Sequence, residues 1–230
     1  MEKGVYSNTE ILAALKRHHI VIRPFIAKNL AGSSYDVTLG EWYYKTERQT
    51  QLGIYNPFDE EDVQRYFDGP YQAVPHAKWA KQNNRLLFKN IPTNHPIIVL
   101  QPGERVLAHT YEFIGIKAPG TSTLQARSTW GRNGVAVCLD AGWGDPGYIN
   151  RWTMEVYNMN QHEAVVLPVG ERIAQMVFYH TGLVKGEYTK LSGKYQPAAQ
   201  DELKAIIDSW SPELMLPRAF KDKRRKPMPL

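Results

Sequence analysis

Cysteine is nearly absent: Cys138 is the one thiol in 230 residues. One thiol excludes an intrachain disulfide framework and any zinc site that needs several thiolates. Long apolar runs are missing too. None reaches the roughly 18 residues that would cross a bilayer. The opening residues, MEKGVYSNTE, hold no hydrophobic signal core, so a soluble cytoplasmic protein without a membrane partner is expected. A large surplus of one charge is also lacking. Lys and Arg number 28 against 23 Asp and Glu, a formal +5. That balance tolerates a small polyanionic ligand and gives no reason to expect nucleic acid. Part of the excess sits in KDKRRKP at 221–227, which reads as a solubilising end. Standard enzyme signatures are absent as well: there is no GxxxxGK[ST], HExxH or GxSxG.

Short apolar segments and turn residues are plentiful. Apolar content is 43%, with 17 Gly and 15 Pro, enough for one domain with appendages. Asn8 or Thr9 is positioned to cap a helix running to about His18. HHIVIRPFI reads as a strand. In GSSYDVTLGEWYY, Tyr35, Val37 and Leu39 alternate with Asp36 and Thr38. The pattern weakens over 45–94, an apparent insertion with a short helix around EEDVQRYF. Beyond it, PIIVLQPGERVLAHTYEFIGI, VAVCLDAG, RWTMEVYNM, EAVVLPVG and RIAQMVFYH follow closely, separated by Gly and Pro turns. This is the pattern of an all-β barrel or jelly roll, not of βαβ units. A helix is expected over DELKAIIDSW. The division is then a β domain over 1–200 and a helix with basic tail over 201–230.

Chemistry-bearing residues concentrate in 126–158, ARSTWGRNGVAVCLDAGWGDPGYINRWTMEVYN. Arg127, Ser128, Thr129 and Arg132 combine two guanidinium groups and two hydroxyls near glycines. This set suits either an oxyanion site or a charged surface turn. In RWTMEVYNM a two-residue period puts Trp152, Met154 and Val156 on one face and Thr153, Glu155 and Tyr157 on the other. Glu155 is then either an outward carboxylate or a partly buried one, whose raised pKa would suit proton transfer. Asp145, in GWGDPGY, reads on its own as a turn residue.

Taken together, ARSTWGRNG, LDAGWGDPGY and TMEVYN resemble the dCTP deaminases of the dUTPase-like superfamily, whose pattern runs near GRSS-x-x-R-x-G, TAG-x-x-D-PG-aromatic and a strand with LE and N. SSYDVTLG, PGERVLAHTYEFI, LPVGERIAQMVFY and GKYQ extend the resemblance in the same order, over roughly two thirds of the chain. It implies a distorted, jelly-roll-like β-barrel with peripheral helices. It also implies a homotrimer with active sites shared between subunits, a deoxynucleoside triphosphate substrate, and Mg2+ carried by the triphosphate and waters. No zinc is implied, which suits a chain with one cysteine, since zinc-dependent nucleic-acid deaminases use a His and two Cys.

Residue by residue, the resemblance makes Glu155 the group that activates water and shuttles protons. Ser128 and Arg132 position the water or hold the base, and Asp145 lies near the sugar and matches the general base for water in the phosphate-hydrolysing relatives. Arg127, Thr129, Ala141, Gln175, Tyr188, Lys194 and Gln196 match substrate-binding positions. Gly142-Trp143 follows the small alanine, where members that only deaminate tend to carry His-Arg. That favours the bifunctional course from dCTP to dUMP, ammonia and pyrophosphate. A deaminase acting on dCTP or a modified dCTP without phosphate cleavage, a plain dUTPase and a non-catalytic nucleotide-binding module are the alternatives. Three departures from the family pattern stand out: the long 45–94 segment, Asn150-Arg151-Trp152, and the chain beyond GKYQ.

Overall fold

A computed structural model describes residues 4–46, 53–139, 141–185, 194–195 and 203–222. Helix α1 (Asn8–Lys16) opens the chain, and its cap is Ser7, one residue earlier than expected. Ser7 and Glu10 form a reciprocal capping box, which satisfies two otherwise orphaned amides. The strands are β1 (Ile20–Arg23), β2 (Tyr35–Thr38), β3 (Trp42–Lys45), β4 (Asp68–Gln72), β5 (Val74–Pro75), β6 (Pro96–Leu100) and β7 (Arg105–Ile116). They continue as β8 (Thr121–Ala126), β9 (Val135–Val137), β10 (Trp143–Gly144), β11 (Ile149–Asn158), β12 (Val165–Pro168) and β13 (Arg172–Tyr179). Helices α2 (Glu60–Tyr66), α3 (His76–Gln82), α4 (Ser128–Arg132) and α5 (Leu203–Ser209) lie between or after them.

All described pairings are antiparallel. One sheet runs β4-β3-β7-β11-β9, with β1 also on β7; a second runs β10-β8-β13-β2; a third runs β12-β6-β5. The fold is mostly β with few helices, as the turn-punctuated strands imply. The short helix expected around EEDVQRYF is α2, and beyond it the weakly patterned segment holds more structure than the sequence suggested: the strands β4 and β5, and α3. Its apolar residues recur too irregularly to announce these elements.

Strand β7 organises the molecule. Its first half pairs with β3, its second half with β1, and its other edge with β11. The β7–β11 register shifts between Arg151 and Thr153, opposite Thr110 and Glu112. There the backbone amide of Trp152 donates to Thr110 Oγ1 (2.8 Å), and Thr110 Oγ1 donates to the carbonyl of Glu112 (2.8 Å). The side chain of Glu112, fully buried, accepts from the amide and hydroxyl of Thr38 (2.9 and 3.0 Å). A buried carboxylate needs such donors, and these two fasten β2 to β7. His109 is also fully buried. Its Nε2 accepts from the amide of Trp42 (3.2 Å), so Nδ1 carries the proton to the carbonyl of Thr110 (2.8 Å). Burial pushes this imidazole down to about 3.

The main core joins all three sheets through residues such as Tyr35, Ile98, Ile114, Met154 and Phe178. A second cluster combines Tyr44 and Leu107 of the β-core with Val63 and Phe67 of the 45–94 segment and Met215 near the end of the chain. No helix among the described residues is long and apolar enough to cross a membrane.

Candidate active site

Strand β11 sorts its side chains by face. Trp152, Met154 and Val156 are buried, whereas Thr153, Glu155 and Tyr157 are half-buried, as the two-residue period implies. Glu155 pairs directly with Leu107 of β7, with Arg105 two residues along the same strand face. All three line a cavity of about 890 Å³, together with Thr153, Ala141, Trp143, Asp145, Tyr148, Trp152, Phe67, Lys185, Lys194, Tyr195 and Met215. The volume suits a nucleotide-sized ligand.

Burial pushes the Glu155 carboxyl above its usual range; its backbone and Arg105 oppose the shift. Its Oε2 is buried with no hydrogen-bond partner among the described residues. An orphaned carboxylate oxygen facing a cavity is poised to accept a hydrogen bond from water or ligand. Beneath it, the amide of Cys138 donates to the carbonyl of Glu155 (3.1 Å), and burial, with Glu155 nearby, raises the Cys138 thiol beyond any reactive range. Cys138 is therefore a packing residue. It adopts a left-handed backbone, φ 68°, uncommon for a side chain other than Gly or Asn. The resulting turn, closed by the amide of Ala141 on the carbonyl of Cys138 (2.8 Å), aims Ala141 at the cavity.

Two glycines of the GWGDPG run are fixed by close approach. A Cβ on Gly142 would lie 2.2 Å from the carbonyl oxygen of Leu124. One on Gly144 would lie 2.3 Å from the ring of Trp152 and 2.7 Å from Ser122 Oγ. Trp152 and Gly144 are therefore complementary. The indole donates Nε1–H to the carbonyl of Ile114 (2.9 Å) and meets Tyr148 edge-on at 5.2 Å. Of the unusual Asn150-Arg151-Trp152, only Trp152 lines the cavity. Asn158 is structural: its Nδ2 donates to the carbonyls of Leu100, Gln101 and Glu163 (3.2, 3.1 and 2.9 Å).

The residues expected to form one site fall into two groups. Ala141, Asp145, Glu155 and Lys194 meet in the cavity. Arg127, Ser128, Thr129 and Arg132 do not line it. Ser128, Thr129 and Arg132 are exposed on α4, and Arg127 is half-buried at its start. Arg127 and Arg172 both reach Asp36 Oδ2 (3.5 and 3.1 Å), and the indole of Trp130 donates to the carbonyl of Arg172 (2.8 Å), which holds α4 on β13. Gln175 belongs to this second group, paired with Asp36 and Gln125. Ala126, where the family pattern has Gly, ends β8 opposite Ala174, an extended position that accepts a Cβ. Tyr188 and Gln196 lie outside the described residues.

The sequence did not single out Arg105, Leu107, Phe67 or Met215 as site residues. Arg105 enters through the β7–β11 register, which leaves no signal in the sequence. Phe67 and Met215 had none either, since they come from segments distant in sequence. Among the described residues no three of His, Cys, Asp or Glu converge as a metal site. The cavity sets two carboxylates, Asp145 and Glu155, among the cations Arg105, Lys185 and Lys194. This donor set fits an ion brought in on phosphate oxygens.

The family described as dCTP deaminase-like matches residues 5–181. This chain belongs to that family. Among its relatives, the dCTP deaminase, dUMP-forming, of Nanoarchaeum equitans is 27% identical over 82% of this chain and 90% of its own length. The protein of the same name from Methanopyrus kandleri is 30% identical over 83% and 90%. The solved structure of 2'-deoxycytidine 5'-triphosphate deaminase from Agrobacterium tumefaciens superposes with a TM-score of 0.51 at 16% identity, covering 79% of this chain and 49% of that one. That likeness shows the shared dUTPase-like fold.

Proposed function

We propose that this protein hydrolyses the amino group of dCTP and yields dUMP, as the names of its relatives describe for those proteins. The observation that carries the reading is Glu155, a half-buried carboxylate with an unpartnered oxygen, set mid-strand in a nucleotide-sized cavity of a family member. Ionised, Glu155 takes a proton from water as the oxygen bonds to C4 of the cytosine. It hands that proton to ring N3 and then carries a second from the new C4 hydroxyl to the exocyclic nitrogen; the C4–N bond breaks and ammonia leaves, so that water and cytosine become uracil and ammonia. Burial raises the Glu155 pKa and so eases return of the proton from the carboxyl. A second water cleaves between the α- and β-phosphates to release pyrophosphate.

Asp145 faces the sugar, Ala141 the base, and Lys194 and Lys185 the phosphates. Magnesium, when carried in by the triphosphate, supplies neutralising charge there. Ser128, Arg132, Arg127 and Thr129 complete the reading only if they reach a cavity other than their own. Ser128, Thr129 and Arg132 are exposed on α4 and so open to a neighbouring subunit; in the homotrimer of this reading, α4 of one subunit serves the Glu155 cavity of the next.

The test incubates the protein with magnesium and dCTP, dUTP, CTP or 5-methyl-dCTP, and separates the products. Monophosphate and pyrophosphate from dCTP are expected. Accumulation of dUTP would restrict the activity to deamination, and turnover of dUTP alone would make it a dUTPase. Binding without turnover would overturn the reading.

A further inference from the structure

The three departures from the family pattern converge on one substructure. Residues 203–222 run across the cavity side of the β-core and are anchored at three places. At the first, Ile206 packs with Val21, Phe113 and Ile149, and the guanidinium of Arg151 lies 4.5 Å from the ring of Trp210. At the second, Met215 packs among Tyr44, Val63, Phe67 and Leu107, so the 45–94 segment supplies half of its seat. At the third, Arg218 donates from Nη1 to the carbonyl of Lys194 (2.8 Å) and from its backbone amide to Tyr195 Oη (3.2 Å). Lys194 Nζ also meets Asp222 Oδ2 at 2.5 Å. From the β-core, Asn150 Nδ2 donates to the carbonyl of Tyr195 (3.0 Å). Lys194 and Tyr195 line the Glu155 cavity, as do Met215 and Pro217 of the strap.

We infer that residues 203–222 are a strap that fixes Lys194 and Tyr195 at the cavity rim within the same chain, with Arg218 as the positioning residue. The inference rests on the reading of Lys194 as a phosphate ligand. A lysine whose backbone is already held loses less freedom when it meets a polyphosphate, and this preorganisation appears as affinity. Arg218 suits the task because its guanidinium donates to a carbonyl while lying over the Tyr195 ring, 6.0 Å from guanidinium carbon to centroid. Asp222 holds the ammonium until phosphate replaces it.

The experiment compares the full-length wild type with Arg218→Ala and Arg218→Lys, measuring dissociation constants for dCTP and dCMP with magnesium, steady-state kinetics on dCTP, and thermal unfolding. Wild type is expected to bind dCTP more tightly than dCMP. Arg218→Ala is expected to lose about tenfold of that preference, with KM rising and kcat at saturation changing less than about twofold. Arg218→Lys, which keeps the charge and stem but not the fork, is expected to lose about threefold. An unchanged dCTP-to-dCMP ratio in both variants overturns the inference alone, as does an equal loss of affinity for both nucleotides, which marks a merely structural role. A wild type that does not distinguish dCTP from dCMP overturns the reading of the cavity and this inference with it.

Discussion

Glu155 and Arg132 stand in one continuous run of sequence, yet the fold treats them differently. Glu155 sits mid-strand between β7 and β9, half-buried, with one oxygen unsatisfied inside a cavity. Arg132 closes a five-residue helix on the surface with its side chain exposed. The first environment shifts a pKa by taking a charge out of water; the second leaves its charge solvated. A motif continuous in sequence is thus divided between an interior wall and an outer face. The proposed reaction needs both, and a second copy of the chain is the geometry that would reunite them.

The sharpest break falls on the interior wall. Glu155→Gln should lower ammonia release from dCTP by about 10²–10⁴-fold while nucleotide binding, measured by calorimetry, persists. Full activity in that variant would remove Glu155 from the chemistry. The outer face is tested by mixing. Arg132→Ala and Glu155→Gln should each be inactive alone. After co-refolding in equal amounts, about a quarter of the sites should pair two intact residues and recover activity. No recovery in a mixed oligomer would mean that the two regions do not share sites.

A packing test follows. Gly144→Ala drives a methyl group into the Trp152 ring and should destabilise the fold by about 1–3 kcal/mol, read as a lower unfolding midpoint. Gly131, whose Cβ would meet nothing, should accept Ala with a far smaller change.

The smallest effect concerns pH. Because burial raises the Glu155 pKa, the acid limb of kcat/KM should lie above the ordinary carboxylate range. Arg105→Met removes a charge that lowers the pKa and should move the limb further up. The sign for stability is the reverse. A carboxyl with a raised folded pKa stabilises fully below its unfolded pKa and loses that contribution as pH rises through the folded value. Glu155→Gln should therefore melt higher than wild type near neutrality and converge with it in acid.

Much of this was legible in the residues. The alternation in RWTMEVYNM places Glu155 opposite the core face, and the turn-punctuated strands give the mostly β architecture. Helix α1 was legible too, except that Ser7 and Glu10 form its capping box rather than Asn8 or Thr9 serving as cap. Less was legible where contacts are long-range. Arg105 enters the site through β7–β11 register, and Phe67 and Met215 through a cluster joining segments far apart in the chain. Asn150-Arg151-Trp152 stood out in the sequence as one departure from the family pattern. In the fold the three residues part: Trp152 lines the cavity, Arg151 covers Trp210 and Asn150 holds Tyr195.

By itself the amino-acid order determined family and strand faces, and it singled out Glu155 as the candidate for proton transfer, because these follow from local periodicity and from ordered motifs. Only the tertiary structure decided which motif residues meet, that the 45–94 segment and the end of the chain wall one cavity, and that Glu155 is desolvated. Burial, register and the satisfaction of polar atoms are properties of packed neighbours, and a neighbour across a sheet leaves no spacing in the sequence to be read.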